Sequence, residues 1–297
     1  MPLVAYAAIV CLVVLRLHGL PASREVWMLV VLGGVVAACA ASVASLRRFA
    51  VGLVVDWIPF GAMLALYDLI RGYADGLWLP AHAWPQIDFD RALGLGTVPT
   101  VWLQRHLWHG GAHLRWYDYA AWTTYLSYFF VPTLVLAVLW LRSRESFRQL
   151  ATMVVGLSFA GCATYVLYPA VPPWLAAQEG LIPPIHHLFS VISGHMPYVS
   201  FTPLWKKGTR YDNPVAAVPS LHAAFTMLIA VFLRARMRTR LREVVWLYPL
   251  AMGFALVYSG EHYVFDILLG WAYAGVVYRL ALRRAPSRRL EPVPSAA

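Results

Sequence analysis

Apolar runs of about 20 residues recur along the chain, each long enough to cross a bilayer as a helix. The pattern predicts an all-α, polytopic membrane bundle of about eight transmembrane helices at roughly 3–20, 26–46, 50–71, 118–141, 148–169, 215–234, 243–259 and 262–282. Two long connections interrupt them, about 72–117 and 170–214. No polar block is large enough for a second domain and no internal repeat is visible. The pattern therefore predicts a single membrane domain over 1–285, with its chemistry in a core of about 118–282 and a disordered cytoplasmic tail over 286–297. The first apolar run lacks a charged leading segment, and Leu20-Pro21-Ala22-Ser23 is a poor cleavage site, so it reads as a retained helix rather than a signal peptide.

Composition agrees with the periodicity. Hydrophobic residues make up 60% of the 297 positions and charged residues only 13%, about half the charged fraction of a soluble domain. The net charge of +10 comes from arginines placed between apolar runs, which is how orientation signals are distributed and not how a nucleic-acid surface is. Arg47 and Arg48, then Arg142, Arg144 and Arg148, then Arg234 to Arg242, then Arg279 to Arg289 mark every second connection as basic. An even number of helices with both termini inside gives that alternation. Arg16 and Arg24, in the first connection, run against it. The scheme puts both long connections and the 259–263 turn on the outer face. Cys11, Cys39 and Cys162 all lie in apolar runs without CxxC spacing, so neither a disulfide framework nor a zinc site is indicated.

Three stretches carry chemistry. In Val218-Pro219-Ser220-Leu221-His222, Pro and Ser before an apolar run mark a helix start. Helix N-termini bind phosphate through free N–H groups. His222 in the first turn is placed to act as a general acid, although a capping serine beside an incidental interfacial histidine would look the same. In Gly260-Glu261-His262-Tyr263-Val264-Phe265-Asp266, His262 and Asp266 are four apart and share a helix face. A carboxylate on one imidazole nitrogen leaves the other free to attack. The alternative is a structural pair, or an Asp266 paired with a distant arginine. Third, Lys206, Lys207 and Arg210 precede the first histidine and are candidate phosphate ligands, or else a patch that attracts lipid headgroups.

Pro219-Ser220-Leu221-His222 followed by His262-xxx-Asp266 resembles the second and third motifs of the type-2 phosphatidic acid phosphatase superfamily. The resemblance implies a metal-independent helical enzyme with His262 as nucleophile, Asp266 as its partner and His222 as the acid. Two departures stand out. The family's SRxxxxxHxxxD pattern has Ala255 and Leu256 at its Ser and Arg positions, and a KxxxxxxRP spacing from Lys206 to Pro214 carries Asn213 in place of Arg. Glu261-His262-Tyr263-xx-Asp266 resembles sphingomyelin synthases and fungal inositol phosphorylceramide synthases. Tyr168-Pro169-Ala170-Val171-Pro172-Pro173-Trp174 resembles a Pro-Pro-Trp stretch of the fungal enzymes. These likenesses imply a lipid phosphotransferase that moves a phospho-headgroup, phosphoinositol among the candidates, through a phosphohistidine. The partners are then a phospholipid donor and a lipid hydroxyl, or water in a phosphatase acting on phosphatidic acid or a polyprenyl phosphate. A lipid transporter or flippase is the alternative of another class, disfavoured by the lack of repeats. The Ala-, Val- and Arg-rich composition looks like that of a high-GC bacterium, which implies a bacterial cell membrane with the site on its extracytoplasmic face.

Other polar residues are open to two readings. Asp56, Asp68 and Arg71 lie in or at the end of the third helix. Asp68 and Arg71 have the spacing of a structural pair, yet Arg71, at the outer end, is also a candidate phosphate ligand alongside Ser220. His109 with His113, and His186 with His187, lack carboxylate or cysteine partners at metal-ligand spacing, so no metal and no cofactor is expected. Residues 97–108 suit a short interfacial helix or a substrate lid. The many Trp and Tyr residues fit interfacial belts.

Overall fold

The computed structural model describes residues 50–73, 79–194 and 213–284, together with 6–12, 29–31, 33, 34, 37 and 47. The first two expected spans fall largely outside these residues, as do Lys206, Lys207, Arg210 and the tail. Among the described residues the elements are α1 (Ile58–Tyr73), continuing a π-helical turn at Leu53–Trp57, α2 (Trp84–Leu93), α3 (Pro99–Leu107), α4 (Trp116–Arg142), α5 (Arg144–Leu167), α6 (Pro173–Gln178), α7 (Leu188–Gly194), α8 (Leu221–Arg234), α9 (Leu247–Ser259) and α10 (Val264–Arg284). Among the described residues, five helices are long and apolar enough to cross a membrane: Ala50–Gly72, Trp116–Arg142, Arg144–Leu167, Arg240–Ser259 and Val264–Arg283. The protein is an all-α polytopic membrane bundle.

Local sequence explains where the helices begin. Pro85, Pro99 and Pro173 occupy first-turn positions, where a missing N–H costs nothing. Ser143 caps α5 by accepting from Ser146 N at 3.2 Å. Gly260, at φ 83°, closes α9 in the left-handed conformation that glycine adopts without strain. The sixth expected span, 215–234, is shortened to Leu221–Arg234. Pro219 disfavours helical backbone at Val218, and Ser220 starts the helix by accepting from Ala223 N. Residues 213–218 instead join the long connections: Ala170 N donates to Val215 O (2.7 Å), His82 N to Pro169 O (2.8 Å) and Val171 N to His82 O (2.9 Å).

The short α8 is the hub. It packs against α4, α5, α9 and α10 and is buried on nearly all sides. At 1.5 Å per residue its 14 residues reach about 21 Å, less than a bilayer core of about 30 Å. Outward faces carry Leu134, Leu141, Leu250, Phe254, Val276 and Leu280, as expected where the solvent is lipid. At the end of the bundle that holds the C-terminus of α8 and the start of α5, Asp56 is buried. It accepts from Arg144 Nη1 (2.5 Å), Arg148 Nε (2.9 Å) and Trp140 Nε1 (2.9 Å). Asp56 therefore has a structural role, clamping the first described span to the α4–α5 corner. The 97–108 stretch is α3, whose Trp102 is half exposed. Gln104 on its inner face donates to His186 O (2.8 Å) and Tyr258 O (2.9 Å), which ties α3 to α9.

Candidate active site

At the opposite end of the bundle, the starts of α8 and α10 meet. Ser220 N donates to Asp266 O at 3.1 Å, so the two motifs are joined main chain to main chain. Glycine permits that approach: a Cβ at Gly270, one turn beyond Asp266, would lie 2.4 Å from Ser220 O. Gly161 of α5 does the same for Leu221, whose side chain would be 2.9 Å from its Cβ.

This contact brings His222 and His262 together, with ring centroids 6.0 Å apart and planes inclined at 55°. His262 Nδ1 lies 3.3 Å from Asp266 Oδ2, and Asp266 is fully buried. The same Oδ2 accepts from Tyr263 N at 3.0 Å, the reciprocal half of a capping box at the start of α10. His262 is held from behind as well, since Leu256 O accepts from His262 N (3.3 Å), Glu261 N (3.1 Å) and Ser259 Oγ (3.1 Å). Leu256 occupies the position where the family pattern has arginine, and both it and Ala255 are fully buried in apolar packing. His222 is enclosed by α4: Tyr125 stacks on it at 5.0 Å and Tyr128 lies 3.9 Å away.

Of the expected phosphate ligands, Ser220 is buried at the α8 N-terminus. Arg71, in the last turn of α1, lies 3.9 Å from Asp68. Arg71 also lies within electrostatic reach of Tyr165, whose hydroxyl donates to Pro219 O at 2.9 Å, and Asn213 Nδ2 donates to Arg71 O at 3.4 Å. The end of α1 thus abuts the segment that leads into the first motif.

The structure adds contacts that sequence reasoning did not foresee, and one residue, Asp90, that it passed over. His187 Nε2 is 2.6 Å from Glu261 Oε1, and its ring stacks on Trp174 at 5.2 Å. Trp174 N donates to Gly260 O at 3.0 Å. The Pro-Pro-Trp stretch and the Glu-His-Tyr stretch, 80-odd residues apart in sequence, therefore dock on one another beside His262. Burial works to lower the His187 pKa, but the hydrogen bond and charge of Glu261 outweigh it and hold the imidazole above its ordinary value. His109 Nδ1, by contrast, lies 2.8 Å from Leu107 O on an exposed turn. Asp90, on α2, is fully buried and accepts from Val264 N (3.0 Å) and Phe265 N (3.1 Å). Burial pushes its carboxyl up to about 6, against the two backbone N–H bonds that lower it, and the charge of Asp266 adds to the rise. No periodic signal marked Asp90, because α2 carries Asp88 and Asp90 and only packing decides which one turns inward.

Two histidines and an aspartate thus meet at paired helix starts, and comparison with known proteins gives the class. The model of the PAP2 superfamily matches residues 87–280, and the chain belongs to that superfamily. The match begins inside α2. Over 235 residues, 75% of this chain and 73% of the other, it is 29% identical to a protein of Bacteroides thetaiotaomicron named phosphoinositol dihydroceramide synthase. No solved structure matches the chain. The protein is an integral membrane enzyme that acts on lipid phosphate groups.

Proposed function

We propose that this enzyme transfers phosphoinositol from a phospholipid to the hydroxyl of a second lipid, through a phosphohistidine, on the extracytoplasmic face of a bacterial cell membrane. The observation that carries the proposal is the buried His262–Asp266 pair (3.3 Å) facing His222 across 6.0 Å. Asp266 holds Nδ1 of His262, which directs Nε2 toward the substrate. In the first half-reaction His262 Nε2 forms a bond to phosphorus. The bond from phosphorus to the donor's glycerol oxygen breaks, and His222 protonates that oxygen. In the second half-reaction the acceptor hydroxyl gives its proton to the now neutral His222 and bonds to phosphorus, and the N–P bond breaks. Ser220 and the α8 N-terminus hold the phosphoryl oxygens. Arg71, Lys206, Lys207 and Arg210 are the cations assigned to the same charge.

The headgroup and the lipid acceptor are supported by the name of the Bacteroides thetaiotaomicron relative and by the docking of Trp174 on the Glu261–His262 turn. The outer-face placement is supported by Arg144, Arg148, Arg234 and Arg242, which lie at the other end of the bundle. The test is to incubate the purified enzyme with phosphatidylinositol labelled in its headgroup, with and without dihydroceramide. A new labelled lipid, formed only with acceptor, is expected. Water-soluble inositol phosphate formed regardless of acceptor would make the enzyme a hydrolase and refute transfer. His262→Ala is expected to abolish turnover while the protein stays folded. Full activity in that variant would remove His262 as the nucleophile.

A further inference from the structure

The start of α10 has an unusual division of labour between two carboxylates. The first turn of any helix leaves main-chain N–H groups without partners, and a Ser, Thr, Asp or Asn at the N-cap normally accepts from them. Here the residue before the helix is Tyr263, whose hydroxyl is too distant to serve. Asp90 supplies the missing acceptor from another helix. Its Oδ2 takes Val264 N at 3.0 Å and its Oδ1 takes Phe265 N at 3.1 Å. Asp266, in the same turn, is left with Tyr263 N at 3.0 Å and His262 Nδ1 at 3.3 Å. Asp90 is itself well seated: α2 is anchored by Ile87, which is fully buried, and by Arg91, which donates to Leu181 O at 3.3 Å.

Both oxygens of Asp90 accept from main chain and the side chain is fully buried, so it presents no face to a substrate. Its effect on the site runs through Asp266. Without Asp90, two N–H donors in this turn lose their acceptor, at a cost of roughly 1–3 kcal/mol each when buried. The nearest carboxylate able to replace it is that of Asp266, one residue along. Oδ1 of Asp266 is buried without a hydrogen-bond partner, and turning it onto the freed N–H groups would swing Oδ2 away from His262, whose bond is the longest of the four that the two carboxylates accept. We infer that Asp90 is a positioning residue: by capping α10 from α2 with both oxygens, it keeps Asp266 available to orient His262. The kinetic consequence rests on the reading of His262 as nucleophile, while the geometric one does not.

The experiment pairs two readouts on Asp90→Asn, which keeps the shape but replaces one acceptor with an NH2 group. The first is the ring 15N spectrum of histidine-labelled protein in detergent, with the His262 signals assigned by their absence in His262→Ala. In the wild type, Nδ1 of His262 is expected to carry the proton shared with Asp266. In Asp90→Asn the signals are expected to move toward the Nε2-protonated tautomer or a mixture. The second readout is steady-state kinetics, where kcat is expected to fall roughly 10–100-fold with KM within about threefold, as for a loss of orientation rather than of binding. Should Asp90→Asn not fold, Asp90→Ser, which retains a single acceptor, gives the same comparison with a smaller expected shift. Folded variants with unchanged His262 signals overturn the inference, and so does wild-type kcat. A wild-type enzyme inactive on every phospholipid would sink the proposed function, yet the ring spectrum would still decide the role of Asp90.

Discussion

Adding one methyl group at Gly270 is expected to disable the enzyme more than it destabilises it. The new Cβ would sit 2.4 Å from Ser220 O and 3.4 Å from Ala224 N. Ordinary carbon–oxygen contacts begin near 3.3 Å, so about 1 Å of extra separation must open between α8 and α10. The obstacle is backbone, which cannot swing aside as a side-chain tip can. That shift lengthens the Ser220 N to Asp266 O bond, now 3.1 Å, and carries His222 away from His262. Overpacking of this kind costs about 1–3 kcal/mol, while exchanging glycine for alanine within a helix returns up to about 1 kcal/mol. Net destabilisation is thus on the order of 1 kcal/mol. Nothing offsets the catalytic loss, and a 1 Å misplacement of reacting groups costs roughly 100-fold, or about 2.7 kcal/mol in the barrier. The assay is turnover of headgroup-labelled phospholipid by Gly270→Ala, with its melting temperature measured in the same detergent. Gly275→Ala, on the same helix, is the control, because a Cβ there meets nothing within 4 Å beyond its own helix backbone. Gly270→Ala with more than about half of wild-type kcat would refute the argument, as would equal losses in both variants.

Other expectations concern charge. Asp56→Ala removes the acceptor of three donors but leaves both arginines largely accessible (side chains 40% and 63% exposed). The expected cost is therefore about 2 kcal/mol, read as a lower melting temperature with kcat per folded molecule unchanged. The His187–Glu261 pair raises the histidine's pKa above 6.5 in the folded protein. It stabilises fully below pH 6.5 and loses that contribution as pH rises through the folded value. Glu261→Gln should flatten this part of the melting-temperature profile, and an unchanged slope would count against the pair. Turnover should persist in excess EDTA, because the proposed nucleophile and acid are both imidazoles. Loss of activity restored by a divalent ion would contradict that mechanism.

Hydropathy alone determined the class of this protein, because backbone groups in a bilayer must be satisfied within each segment and long apolar helices are nearly the only solution. The described spans follow the expected boundaries closely except at 215–234, where Pro219 and Ser220 act locally and hold the helix start back to Leu221. The pairing of His262 with Asp266 was also legible, since four residues make about one helical turn. The meeting of α8 with α10 was not. It depends on Gly270 and Gly161 having no side chain at two contacts made across the bundle, and no periodicity records which glycine faces which backbone. Asp90 and the Trp174–His187–Glu261 stack were hidden for the same reason, because their partners lie 174 and 74 residues away. Local spacing singled out His222, His262 and Asp266. Tertiary packing brought them together and decided which residues hold them there.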